Sequence, residues 1–70
     1  MKIVCELKEI LDKLGITVNE LSYKTQISSS LIYNYCNNKT FPNLFNAYTI
    51  ARSLNKNIED IWKVKKYGEW

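Results

Sequence analysis

Histidine is absent from this 70-residue chain, and cysteine occurs only twice, as Cys5 and Cys36. These shortages exclude the common zinc spacings, the Ser/His and Cys/His catalytic pairs and any disulfide framework. With two glycines in all, there is no glycine-rich loop to cradle a phosphate. No apolar run approaches the roughly 20 residues needed to cross a bilayer. Glu6 and Glu9 interrupt the amino terminus before a signal-peptide core could form. The expectation is a cytoplasmic protein with reduced thiols, not an enzyme, carrying no metal or cofactor and making no membrane contact. Carboxylates are missing from the whole middle of the chain, with none between Glu20 and Glu59.

What is present describes a small soluble globule. Apolar residues make up 46% and charged residues 24%, the balance of a folded domain rather than a disordered tail. A chain this short buries only about 60% of its unfolded surface, so it forms one domain with an economical core. The net charge of +3 is unevenly placed. Its excess lies in the acid-free middle, where Lys24, Lys39, Arg52 and Lys56 stand among Ser, Thr, Asn and Tyr. A surface of hydroxyls and amides that repels no phosphate suits a polyanion. Chance clustering in a lysine-rich, arginine-poor composition explains the charge equally simply.

Helical periodicity runs through the chain. Val4, Leu7, Leu11 and Leu14 recur at helical spacing, which predicts a first helix over residues 2–14, ended by Gly15 in a left-handed conformation. Thr17 stands three residues before Glu20, the spacing of a capping box, with Ile16 and Leu21 placed as a hydrophobic staple. A second helix over 18–25 follows, burying Val18, Leu21 and Thr25. Ser28 caps a third helix that turns Leu31, Ile32 and Tyr35 inward and ends near Asn37-Asn38, with Asn38 left-handed. Pro42 breaks the chain. Asn43 caps a fourth helix with Leu44, Ala47, Ile50, Ala51 and Leu54 on its apolar side. Asn55 ends it, and Asn57 caps a short fifth helix carrying Ile58, Ile61 and Trp62. No segment alternates as a half-buried strand does. The expected fold is all-α, a bundle of four to five short helices.

Two short helices joined by a few residues, with amphipathic helices before and after, resemble the Cro/CI-type helix-turn-helix family of bacterial and phage regulators, the XRE-like group. The resemblance spans about residues 3–62, leaving 63–70 as a tail. It is carried by Leu14-Gly15-Ile16-Thr17, Glu20-Leu21, Ile27-Ser28, Ile32, Asn37-Asn38-Lys39, Pro42, Ile50-Ala51-Arg52-Ser53-Leu54-Asn55 and Ile58-Glu59-Asp60-Ile61. Departures are equally specific. Ser22 replaces the family's usual alanine, Gln26 the turn glycine, and Val18 a phosphate-binding glutamine. Leu11 and Cys36 stand where the family pairs arginine with glutamate. Exchanging both partners strands no charge, so Leu11 and Cys36 are expected to meet, which makes Cys36 a packing residue.

The resemblance implies a lambda-repressor-like domain that binds double-stranded DNA through its third helix in the major groove. Carried over position by position, Ser29, Ser30, Tyr33 and Asn34 fall where bases are read. The amide of Asn34 is able to bond adenine N6 and N7 together. No arginine lies on that helix, so an A·T-rich operator is expected. Phosphates fall to Thr17, Lys24, Ser28, Asn37, Lys39 and Thr40. The implied function is a Cro-like repressor acting as a homodimer through the fifth helix and the tail, with Trp62, Tyr67 and Trp70 covering the partner. The alternative is a protein-interaction module on the same scaffold, such as an antitoxin or a phage protein that neutralises a protein partner.

Overall fold

Five short helices are closed by a two-stranded antiparallel sheet in the computed structural model, which describes residues 2–65. The order is β1 (Lys2–Cys5), α1 (Leu7–Leu14), α2 (Val18–Thr25), α3 (Ser29–Cys36), α4 (Leu44–Ser53), α5 (Ile58–Ile61) and β2 (Trp62–Lys65). The chain is therefore mostly helical, as its periodicity predicts, with caps that decide where each helix begins. Thr17 and Glu20 form the capping box of α2: the Glu20 amide donates to Thr17 Oγ1 and the Thr17 amide to Glu20 Oε1, each at 3.1 Å. Ser28 Oγ accepts from the Leu31 amide at 3.3 Å, and Asn43 Oδ1 from the Asn46 amide at 2.8 Å. At α5 the Asn57 amide donates to the Asp60 carboxylate at 3.0 Å. Gly15 (φ 69°), Asn38 (φ 59°) and Asn55 (φ 58°) take the left-handed conformation. Glycine adopts it freely, and asparagine more readily than most residues.

The first helix is shorter than its apolar spacing predicts. Residues 2–5 form a strand whose register is Lys2 to Lys65, Ile3 to Val64, Val4 to Lys63 and Cys5 to Trp62. The 3/4 spacing of Val4 with Leu7 and Leu11 is coincidental. Ile3 and Val4 are β-branched, and a pairing partner some 60 positions along the chain offers them a ladder. The Glu6 amide continues the junction by donating to the Ile61 carbonyl at 2.7 Å. Trp62 consequently lies in β2 and not in the fifth helix, and it is buried.

The core draws one fully buried aliphatic side chain from every helix: Leu7, Leu21, Ile32, Ile50 and Ile61. Each contributes about 1.5–3 kcal/mol of apolar burial. Tyr35, Ala47, Ala51, Leu54, Cys5, Leu11, Ile27 and Trp62 complete the cluster, with Ile16 and Val18 packed at its margin. Three residues expected inside are not there: Leu14, Leu31 and Leu44 are exposed, Leu44 at 79%. Trp62 is buried with its indole Nε1 lacking an acceptor among the described residues. An unmet donor of that kind costs about 1–3 kcal/mol.

Candidate nucleic-acid interface

The turn between α2 and α3 is built by small polar side chains that reach backbone groups. Ser22 Oγ donates to the Ile27 carbonyl at 2.6 Å. Thr25, buried, donates its hydroxyl to the Leu21 carbonyl at 2.8 Å and accepts from the Ile27 amide at 3.3 Å. Gln26 takes φ 62°, the conformation a glycine would hold without strain. Its amide donates to the Ser22 carbonyl, and its side-chain Nε2 to the Tyr23 carbonyl at 2.9 Å. Ile27 is then buried, and α3 starts in a new direction with Ile32 and Tyr35 locked inside. The Tyr35 hydroxyl accepts from Asn46 Nδ2 of α4 at 3.4 Å.

Fixing that inner side decides what α3 shows outward. Ser30 and Tyr33 are exposed, while Ser29 and Asn34 are half-buried. Ser28 is exposed, its oxygen engaged by the Leu31 amide. The first turn of α3 carries no acidic residue, so its open amides present an unopposed positive end. The four base-reading candidates thus share one short helix. Of the phosphate candidates, Asn37, Lys39 and Thr40 follow α3 on an exposed loop, and Lys24 is exposed near the end of α2. Thr17 is less free than its sequence position suggests, because its amide is bonded to Glu20 and a carboxylate stands beside it.

The loop after α3 is tied down from an unexpected direction. Asn38 Oδ1 accepts from the Cys5 amide at 2.8 Å, and its Nδ2 donates to the Cys5 carbonyl at 3.4 Å. One side chain therefore clamps β1 to the segment that holds Asn37, Lys39 and Thr40. Neither the strand nor this clamp has a signature in local spacing.

A cleft of about 450 Å³ opens between α1, the start of α2 and α3. Leu11 and Cys36 both line it, on the α1 and α3 sides, and Val18 joins them from α2. Tyr33 and Asn37 form its α3 wall, with Lys8 and Asp12 on the α1 side. Lys8 is a cation beside the end of α3 that sequence reasoning passed over. Its only signal was position on the exposed side of an amphipathic helix. Burial raises the pKa of the Cys36 thiol, and Glu9 adds to the shift. Cys5 is pushed up to about 11, again mainly by burial. Both thiols are kept protonated, which suits packing and not nucleophilic attack.

Two helices at a tight turn, the second polar and exposed, define the class of small helix-turn-helix domains that bind DNA. The chain belongs to the helix-turn-helix domain family, which matches residues 6–69. Comparison with curated proteins returns no match. Among the described residues, no helix is long and apolar enough to cross a membrane, and no group of three or more His, Cys, Asp or Glu is placed to hold a metal ion.

Proposed function

We propose that this chain is a sequence-specific transcriptional regulator of the Cro/CI type, a Cro-like repressor that lays α3 in the major groove of an A·T-rich operator. The observation that carries the proposal is the outer side of α3: hydroxyls, an amide, one phenol and the exposed Leu31, with no carboxylate on the helix. Asn34 pairs with adenine through its amide, and Tyr33 sets its ring against a thymine methyl. Ser29 and Ser30 bond base edges at the amino end of the helix. Phosphates are held by Ser28 and the open amides at the start of α3, by Asn37, Lys39 and Thr40 behind it, and by Lys24, with Lys8 added from α1. Thr17 contributes at most its hydroxyl hydrogen.

So few cations hold a single copy weakly, and a homodimer doubles them and sets half-sites about 34 Å apart. The partner surface expected around α5 and the tail loses Trp62. Trp62 is 7% exposed and belongs to the core, while Tyr67 and Trp70 lie outside the described residues.

Selection of bound sequences from a random duplex pool tests the whole proposal, and a palindromic A·T-rich consensus is expected. Asn34→Ala leaves the fold intact and costs roughly 1–3 kcal/mol at one or two operator positions. Lys39→Ala weakens binding to every sequence alike. Affinity falls steeply as salt rises, because released counterions drive phosphate binding. Binding indifferent to salt and sequence would instead favour the protein-interaction alternative.

A further inference from the structure

One side chain of α3 serves neither the core nor the hydrogen bonding of its outer side. Leu31 stands 41% exposed in the first turn and outside the core cluster, while Ile32 beside it is fully buried. Its amide donates to Ser28 Oγ at 3.3 Å, so the helix cap fixes its backbone and its isobutyl group remains partly in water. We propose that Leu31 reads sequence as well, by packing against the 5-methyl group of a thymine in the major groove. This role rests on the DNA-binding reading above and deepens it, giving the A·T preference an apolar source beside the amide of Asn34.

Three observations point to that methyl group. The first is position. Leu31 lies in the amino-terminal turn of α3, directly after the exposed Ser30 and one turn before Asn34. Residues three apart share a side of a helix, and the amino-terminal part of a recognition helix is the part that meets base edges. The second is chemistry. In the major groove the base edges offer donors and acceptors, and thymine alone adds an apolar group. Leucine has nothing on its side chain to donate or accept, so the methyl is the one feature it favours. Over a G·C pair the same side chain displaces water from polar atoms and returns no bond.

The third is spacing. Three helical residues advance about 4.5 Å, against about 3.4 Å for one base pair. With α3 lying along the groove, Leu31 and Asn34 therefore fall on neighbouring pairs. The operator is expected to hold a thymine for Leu31 one step from the adenine that Asn34 bonds.

The probe is the duplex selected from the random pool, with each thymine replaced singly by deoxyuridine. That exchange removes the 5-methyl group and keeps every hydrogen-bonding atom. At the thymine next to the adenine read by Asn34, deoxyuridine is expected to raise the Kd of the full wild-type chain about fourfold, the worth of one buried methyl-sized group. Leu31→Ala raises the Kd for the unmodified duplex by at least as much. It also abolishes the response to deoxyuridine at that one position and keeps the response at others, the coupling that a double-mutant cycle reads. Tyr33→Ala leaves the response at that position in place. Leu31 is exposed and alanine is a strong helix former, so circular dichroism and the melting temperature of the variant stay close to wild type. A Leu31→Ala chain that still loses fourfold on deoxyuridine at that position overturns the role, as does a wild-type chain indifferent to deoxyuridine throughout the site. A chain that binds no duplex overturns the DNA-binding reading and this role together, whereas sequence-specific binding blind to the methyl groups overturns this role alone.

Discussion

Two side chains with nearly the same backbone conformation show how far a residue type determines its own role. Gln26 (φ 62°) and Asn38 (φ 59°) both occupy the left-handed region. Holding a non-glycine residue there costs about 1–2 kcal/mol, and least for asparagine. The side chain of Gln26 returns little, since its bond to the Tyr23 carbonyl is exposed to water. Gln26→Gly relieves the strain at the expense of unfolded-state entropy, so a net gain of about 0.5–1 kcal/mol is expected in urea unfolding. Asn38→Gly goes the other way. It removes both bonds to the Cys5 backbone, and at about 0.5–1.5 kcal/mol for each net bond the loss outweighs the relief. A fall in stability of about 1 kcal/mol is expected, together with weaker DNA binding as the loop carrying Lys39 loosens. Equal effects at the two positions would show that the clamp contributes nothing.

At the scale of elements, helices were legible wherever a cap announced them. Thr17 with Glu20, Ser28 and Asn43 each name the start of a helix, because their side chains satisfy amides that the helix itself leaves open, and at Asn57 the Asp60 carboxylate does so in return. Thr17→Ala is expected to cost about 1 kcal/mol of stability by dissolving the capping box. DNA affinity at saturating folded protein should change little, since the Thr17 amide is already taken by Glu20. A large loss of affinity without loss of stability would restore Thr17 as a phosphate ligand. The hairpin was not legible. Lys2–Cys5 becomes a strand only because Trp62–Lys65 lies alongside it, and no local pattern reports a partner so distant. The short α5 was placed correctly at its start, but its end was drawn too far because Trp62 leaves the helix to pair with Cys5.

Across the whole molecule the margin is small. A domain of this size is stabilised by roughly 0.05–0.15 kcal/mol per residue, while cutting a completely buried Ile32 to alanine costs about 2–5 kcal/mol. Ile32→Ala is therefore expected to leave a large unfolded fraction at room temperature by circular dichroism. Burial of Cys5 ties the fold to alkaline pH as well. Its thiol is raised from 9.0 to about 11 in the folded chain, so the folded state favours the neutral form. That contribution is complete below pH 9 and is lost as pH climbs toward 11. Urea titrations of wild type and Cys5→Ala should diverge in slope over that window, with wild type falling faster. Parallel curves would mean Cys5 ionises as freely in the fold as out of it.

The amino-acid order alone determined the helices, their caps, the tight α2–α3 turn and the polar outer side of α3, because these depend on groups within a few positions of one another. Tertiary structure alone decided which apolar residues stay outside. Leu44 belongs to the same helical stripe as Ala47 and Ala51, yet it stands at the first position of α4, at the rim of a groove, and remains in water. It also decided that Trp62 closes the core and that Asn38 clamps a strand. Those outcomes turn on contacts between positions distant along the chain, which spacing within a segment does not encode.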